Sequence, residues 1–128
     1  MATPTRDREP CNILVAEDDA ALRETVAEML SADHCVIQQA EDGASALDLL
    51  RRSQFDVLVL DLHMPKLNGL DLLRSIDAPP PAVIIYSAYE YFDEKRLQDE
   101  VGFKVFRSLK KPVPPRLLIS AVEEACPR

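Results

Sequence analysis

The chain has 128 residues, 47% of them hydrophobic, and a formal net charge of −7 at pH 7. This length suits one domain with a buried core, and the hydrophobic share excludes a chain that is disordered throughout. The negative charge argues against direct nucleic-acid binding by this segment, no apolar run approaches the roughly 20 residues of a membrane span, and residues 1–10 lack the apolar stretch of a signal peptide.

Strand and helix signals alternate in the first half of the chain. An apolar run over residues 12–16 predicts the first strand, and Asp19 can cap the helix that follows it. Residues 35–39 predict a second, less apolar strand. The next helix ends at Arg51 and Arg52, whose charges favour the carboxyl end of a helix dipole.

The second half repeats the alternation, beginning with an unbroken apolar run over residues 57–60 that is typical of a strand buried on both faces. Three prolines at 79–81 end the helix before them and form a stiff connector. The predicted elements of this half are a strand at 55–60, a helix at 69–76, a strand at 82–86, a weaker helix within 90–100, a strand at 105–109, and a last helix opened by Pro114 or Pro115.

Strands that alternate with helices imply βαβ units and a parallel sheet. Five such units predict a flavodoxin-like (βα)5 doubly wound α/β sandwich with a five-stranded parallel sheet of order 2-1-3-4-5. We expect this domain to cover residues 11–126, after a short flexible tail at 1–10. In this order the first and third strands are neighbours, so Glu17, Asp18 and Asp61 meet at the carboxyl edge of the sheet.

Three carboxylates in one cleft form a hard oxygen site that suits Mg²⁺, with Mn²⁺ as a plausible substitute. Ser87 and Lys111 end the fourth and fifth strands at the same edge and add a hydroxyl and a positive charge. This set provides what phosphoryl transfer needs, because a carboxylate can act as the nucleophile and form an aspartyl phosphate. Asp61 is best placed as that nucleophile, with Glu17 and Asp18 holding the metal.

The residues around these positions form motifs that resemble the receiver domain of a two-component response regulator. The resemblance spans about residues 12–125. It rests on four motifs in order, each at a strand end: Glu17-Asp18, Asp61 with Met64-Pro65 and Asn68-Gly69, Ser87-Ala88, and Lys111-Pro112.

The resemblance implies that a sensor histidine kinase or a histidine phosphotransfer protein donates a phosphoryl group to Asp61 in a Mg²⁺-dependent reaction. It implies that the main-chain carbonyl of His63 completes the metal shell, and that Ser87, Ala88 and Lys111 bind the phosphoryl group. The peptide bond between Lys111 and the following proline is often cis in this family, and a proline is the residue before which a cis bond costs little.

The chain departs from the family pattern on its fifth strand. Receiver domains commonly carry an aromatic residue three positions before the lysine, and Ser108 occupies that position here. Phe106 lies five positions before Lys111, so it could substitute only with a bulge or a change of register. The stretch from Ser87 to Lys111 is also longer than is usual in the family, around residues 89–92 and 102–104.

His63 and Tyr89 each follow a site residue by two positions, where the family tunes the access of water to the aspartyl phosphate. We expect the bulky Tyr89 to shield it and to slow self-dephosphorylation. The implied function is a cytoplasmic phosphorylation switch rather than a metabolic enzyme, with an output domain or partner at the face of the fourth helix, fifth strand and fifth helix. Dimerisation through the fourth and fifth helices is a further arrangement open to such a domain.

Two alternatives stay open. One is a receiver fold that binds a partner without being phosphorylated. The other is a haloacid-dehalogenase-like phosphatase, which also uses an aspartyl nucleophile with Mg²⁺ but wants a second aspartate where His63 stands.

Several residues have a simpler interpretation. Asp56 opens the third strand at the edge opposite the site and is predicted to be structural, and Lys110 is predicted to face solvent. Cys11, Cys35 and Cys126 lack CxxC spacing, and we expect all of them to be reduced structural thiols.

Overall fold

Strand and helix alternate along the part of the chain that the computed structural model describes, which is residues 10–31, 34–64, 66–87 and 94–126. The strands are β1 (Cys11–Ala16), β2 (Cys35–Ala40), β3 (Val57–Asp61), β4 (Ala82–Ser87) and β5 (Arg107–Lys110). The helices are α1 (Ala20–Leu30), α2 (Gly43–Arg52), α3 (Gly69–Ser75), α4 (Glu94–Val101) and α5 (Pro115–Ala125). No helix within those ranges is long and apolar enough to cross a membrane.

The five strands form one parallel sheet in the order β2-β1-β3-β4-β5, which confirms the predicted flavodoxin-like topology. β3 lies at the centre, and every one of its residues is buried. Its partners fix the carboxyl edge: Leu60 pairs with Ala16 of β1, and Asp61 pairs with Tyr86 of β4. The ends of β1, β3 and β4 therefore lie side by side.

The core lies in two layers, because alternate residues of each strand point to opposite faces of the sheet. On one face, Leu58 and Leu60 pack with residues of α2, α3 and α4, and we call this the α2–α4 side. On the other face, Val57 and Val59 pack with residues of α1 and α5, and we call this the α1–α5 side. Both faces of β3 are covered, which explains its unbroken apolar sequence.

Short polar side chains begin the helices that follow the site. The Asp19 carboxylate accepts a hydrogen bond from the backbone N–H of Leu22 at 3.1 Å, so its predicted capping role is confirmed. Asn68 caps α3 in the same way, accepting from the backbone N–H of Asp71 at 2.9 Å. Such caps satisfy N–H groups that have no partner within the helix, and they fix where each helix starts.

The predicted boundaries differ from the observed ones by one or two residues at several ends. β3 begins at Val57 rather than at 55, and Asp56, just before it, bonds to Asn12 of β1 and to the backbone N–H of Ala82 of β4. In the bonds to β1 the Asp56 N–H donates to the Asn12 carbonyl at 2.7 Å, and its carboxylate accepts from the Asn12 N–H at 2.8 Å. The structural role predicted for Asp56 is confirmed. α3 ends at Ser75, and residues 90–93 of the predicted fourth helix lie outside the described ranges.

The prediction of reduced thiols is wrong for two of the three cysteines. Cys11 and Cys126 form a disulfide bond, with their Cα atoms 5.6 Å apart. Both lie on the α1–α5 side, because Cys11 begins β1 and Cys126 directly follows α5, which packs against that face. Cys35, at the start of β2, is the free thiol of the three, and burial raises its pKa.

Candidate functional site

Three carboxylates meet at the carboxyl edge of the sheet, as the predicted strand order requires. Glu17 and Asp18 directly follow β1, and Asp61 is the last residue of β3. One oxygen of each lies within 4.8 Å of the others. Glu17 and Asp61 are only 1% and 4% exposed, whereas Asp18 is exposed. The cluster is thus buried on one side and open to solvent on the other.

Lys111 bridges the two buried carboxylates. Its Nζ donates to Oε1 of Glu17 at 3.0 Å and to Oδ2 of Asp61 at 3.1 Å. Lys110 ends β5 with an exposed side chain, so the prediction that Lys110 faces solvent is confirmed. The peptide bond from Lys111 to Pro112 is cis, as the resemblance implies.

The carboxylate of Asp61 is held at both oxygens. Oδ1 accepts a hydrogen bond from the backbone N–H of His63 at 3.1 Å, while Oδ2 accepts from Lys111. Burial raises the pKa of Asp61, and repulsion from Glu17 adds to this, outweighing the two donors. Burial alone would lower the pKa of Lys111, but its bonds to Glu17 and Asp61 raise it, so Lys111 stays protonated at neutral pH.

Glu17 is the most heavily hydrogen-bonded of the three acids. Its Oε1 accepts from Lys111 and from the Tyr86 hydroxyl, the latter at 2.8 Å, and its Oε2 accepts from the backbone N–H of Asp19 at 3.1 Å. Burial would raise the pKa of Glu17, but these donors outweigh it and lower the pKa. Glu17 therefore keeps its negative charge more readily than Asp61 does.

Tyr86 is a site residue that the sequence reasoning missed. Its ring also lies beneath Lys111, with Nζ 4.9 Å from the ring centroid, which is within cation–π range. Burial, with the negative charge of Glu17, raises the pKa of Tyr86 far above its ordinary value, so the hydroxyl remains a donor. The available signal was a single hydroxyl-bearing ring in an apolar strand, one residue before Ser87.

Ser87 lies at the same edge, as predicted. It is the last residue of β4, its side chain is buried, and its carbonyl accepts from the backbone N–H of Lys111 at 2.8 Å. The His63 side chain is exposed beside Asp61. Ala88 and Tyr89 lie outside the described residues, so their predicted roles remain predictions, as does ligation by the His63 carbonyl.

Close packing explains the glycine in the motif after Asp61. The Gly69 N–H donates to the Leu62 carbonyl at 2.8 Å, which brings the start of α3 against the chain that leaves β3. A Cβ atom on Gly69 would lie 2.5 Å from Cα of Leu62 and 3.0 Å from the carbonyl oxygen of Asp61. Only a residue without a side chain fits there, so Gly69 helps to position the backbone of Asp61.

The departure on β5 is borne out by the pairing. The register is continuous, with Ile85 opposite Ser108 and Ser87 opposite Lys110. Phe106 lies before the strand and packs on the α1–α5 side, where the Arg107 guanidinium lies 4.6 Å from its ring centroid. Phe106 therefore does not substitute for the aromatic residue that the family places at Ser108.

The donor set fits a hard divalent cation. Three carboxylates supply oxygen ligands, and Lys111 balances only part of their charge. Oxygen-rich sites with excess negative charge are typical of Mg²⁺, which keeps several waters and accepts a phosphate oxygen. Glu17, Asp18 and Asp61 are the residues that could hold it.

Comparison with known proteins agrees with the site. The family model for the response regulator receiver domain matches residues 13–123. Over 133 aligned residues the chain is 30% identical to the transcriptional regulatory protein PdtaR of Mycobacterium tuberculosis, covering 100% of this chain and 64% of PdtaR. It is 42% identical over 67 residues to the response regulator MprA of Mycobacterium sp. (strain KMS), covering 52% of this chain and 29% of MprA.

Solved structures have the same fold. The signal receiver domain of a putative Luxo repressor protein from Vibrio parahaemolyticus matches with a TM-score of 0.80 at 26% identity, covering 91% of this chain and 89% of that one. A response regulator receiver domain protein from Clostridium thermocellum matches with a TM-score of 0.75 at 30% identity, covering 90% of this chain and 93% of that one.

The chain spans less than two thirds of the length of both curated relatives. These matches favour neither the phosphatase nor the phosphorylation-independent alternative. The chain belongs to the response regulator receiver domain family.

Proposed function

We propose that Asp61 accepts a phosphoryl group from a sensor histidine kinase or a histidine phosphotransfer protein, in a Mg²⁺-dependent reaction. The observation that carries this proposal is the state of Asp61, a buried carboxylate at a strand end whose two oxygens are oriented by donors at 3.1 Å. Two further carboxylates and a bridging lysine surround it, as phosphoryl transfer needs.

In the transfer step, an Asp61 oxygen attacks the phosphorus atom of the donor's phosphohistidine. A P–O bond forms, the P–N bond breaks, and the imidazole nitrogen leaves with the electron pair and takes up a proton. Mg²⁺, held by Glu17, Asp18, Asp61 and the main-chain carbonyl of His63, would offset the negative charge on the phosphoryl oxygens. Lys111 then contacts the phosphoryl group in place of the free carboxylate.

Residues at the end of β4 complete the phosphoryl site. The Ser87 hydroxyl donates to one phosphoryl oxygen. Ala88, the next residue, is the second phosphoryl-binding residue that we propose here. Hydrolysis reverses the modification: water attacks phosphorus, the P–O bond to Asp61 breaks, and inorganic phosphate leaves. This slow self-catalysed chemistry resets a switch and turns over no metabolite. We expect His63 and Tyr89 to tune the access of water to the phosphoryl group, with the bulky Tyr89 slowing hydrolysis.

Phosphorylation places a dianionic group at one edge of the sheet and biases the protein between two conformations. We propose that the face formed by α4, β5 and α5 differs between these two conformations, and that an output domain or a partner protein binds this face. That face is also where a homodimer would form. Membership of the response regulator receiver domain family supports this proposed face, because response regulators couple a receiver domain to an output domain or partner.

A phosphorylation experiment with a matched control tests the proposal. Wild type, Asp61→Asn and Asp56→Asn are incubated with Mg²⁺ and acetyl phosphate, and the adduct is detected by intact mass. Asp56 is a suitable control because it is half-buried at the opposite edge of β3, and an asparagine there still accepts from the Asn12 N–H. We expect adducts on wild type and Asp56→Asn only.

No adduct on wild type, or an equal one on Asp61→Asn, would overturn the proposal. The same assay followed over time after removal of acetyl phosphate tests the shielding by Tyr89. A phosphoryl half-life no longer in wild type than in Tyr89→Ala would exclude that role.

A further inference from the structure

We propose that Tyr86 is a positioning residue of the acidic site, whose hydroxyl fixes the Glu17 carboxylate for Mg²⁺ binding. This inference rests on the proposed function, since it assigns a role toward the same metal. Tyr86 belongs to none of the four motifs from which the site was predicted. Its contact with Glu17 joins β4 to the end of β1 across β3, the strand that carries Asp61.

The hydrogen bonds of Glu17 show why one hydroxyl matters. Oε1 accepts from both Tyr86 and Lys111, at 2.8 and 3.0 Å, while Oε2 accepts only from the Asp19 N–H, at 3.1 Å. A carboxylate oxygen has two lone pairs, so the donors on Oε1 occupy both of them, and Oε2 keeps one. The geometry therefore leaves Oε2 as the oxygen that can face a cation or one of its waters.

The ring of Tyr86 is a rigid support for this hydroxyl. It is 2% exposed and packs in the apolar cluster of the α1–α5 side, which includes Val26 and Leu118. It also forms part of the wall of an apolar groove of about 430 Å³ between α1 and α5. This packing holds the ring in place, and the hydroxyl bond then fixes the Glu17 carboxylate.

Loss of this support should weaken metal binding more than it weakens folding. Groups that orient the ligands of a metal typically change its affinity by about 10–100-fold when they are removed. Glu17 would keep its donors from Lys111 and Asp19, so we expect the lower end of that range, about tenfold weaker Mg²⁺ binding. A role in packing alone would change stability and leave the affinity for Mg²⁺ unchanged.

Tyr86→Phe tests the inference, because it keeps the ring and removes only the hydroxyl. Mg²⁺ affinity is measured by isothermal titration calorimetry, and stability by urea unfolding in the presence of chelator. Ser75→Ala is the control, since it also removes a hydroxyl with an intramolecular bond, the one donated to the Asp71 carbonyl at 2.8 Å at the far end of α3. We expect about tenfold weaker binding by Tyr86→Phe and wild-type binding by Ser75→Ala.

A double-mutant cycle separates action through Glu17 from a general effect. In a Glu17→Gln background, Tyr86→Phe should change Mg²⁺ affinity by much less than it does in the wild type, because the group it positions is altered. Equal Mg²⁺ affinities of wild type and Tyr86→Phe, or an undiminished effect in the Glu17→Gln background, would overturn the role of Tyr86. A wild type that binds no Mg²⁺ would instead overturn the proposed metal site and the role of Tyr86 with it.

Discussion

Replacing Lys111 with methionine removes the ammonium group that bridges both buried carboxylates and keeps an unbranched side chain. Two hydrogen bonds to charged groups are lost, at 3.0 and 3.1 Å, each worth roughly 1.5–3 kcal/mol. The Lys111 side chain is 24% exposed, so solvent screening reduces the contribution of these two bonds to stability. The carboxylates left behind are almost fully buried, and leaving such a charge unpaired costs about 3–5 kcal/mol. We therefore expect Lys111→Met to lower the free energy of unfolding by about 3 kcal/mol at pH 7.

The stability lost in Lys111→Met should be smaller at acid pH than at neutral pH. Folding lowers the pKa of Glu17, in part through its bond to Lys111. The charged Glu17 therefore stabilises the folded state at a pH above its unfolded pKa. This stabilisation is lost as the pH falls through the folded pKa. The difference between wild type and Lys111→Met should therefore shrink in acid. Mg²⁺ should partly restore the variant, because a ligand at 100 times its Kd stabilises the folded state by about 2.7 kcal/mol.

Urea unfolding monitored by circular dichroism, with chelator and then with Mg²⁺, measures these differences. Lys110→Met is the matched control, because that side chain is exposed at the end of β5, and we expect it to cost less than about 1 kcal/mol. Equal destabilisation by Lys110→Met and Lys111→Met would refute the reasoning from the buried bridge.

Two further predictions concern the frame around the site. Cys126→Ser removes a disulfide that spans 115 residues, so it should lower the free energy of unfolding of the oxidised protein by up to about 5 kcal/mol, whereas Cys35→Ser changes it little. If reductant did not change the urea midpoint of the wild type, the predicted contribution of the disulfide would be contradicted. Gly69→Ala should cost about 1–3 kcal/mol and slow phosphorylation by acetyl phosphate, because its Cβ would lie 2.5 Å from Cα of Leu62. Gly102→Ala, with φ +84° and open space around it, should leave the phosphorylation rate unchanged, and equal rates in both variants would contradict the prediction.

The topology could be predicted because each central strand is covered on both faces and is therefore apolar throughout, as at residues 57–60. Strand ends were less certain, because hydrophobicity reports burial and not pairing. Val105 and Phe106 illustrate this: both pack against the core, yet β5 begins only at Arg107. β5 lies at the edge of the sheet, where a single neighbour, β4, sets the pairing.

The acidic cluster could be predicted because Glu17, Asp18 and Asp61 follow apolar runs. Lys111 could be predicted because it follows the last strand, and parallel strands end at one edge. The role of Tyr86 could not be predicted, because a tyrosine within an apolar strand indicates a core residue, and the strand order does not show that its hydroxyl reaches Glu17. The disulfide was missed for a related reason. Three cysteines allow more than one pairing, and only the packing of α5 beside β1 brings Cys11 to Cys126.

Tyr86 does not replace the aromatic residue that the family commonly places where Ser108 stands. Adjacent residues of a strand point to opposite faces, and Leu109 packs on the α1–α5 side, so Ser108 faces the α2–α4 side. Tyr86 lies on the α1–α5 side, fixed by apolar packing and by its bond to Glu17. Moving it would break a bond to a buried charged group, at a cost of roughly 1.5–3 kcal/mol, and would open the core. The aromatic residue of this site therefore acts as a fixed support.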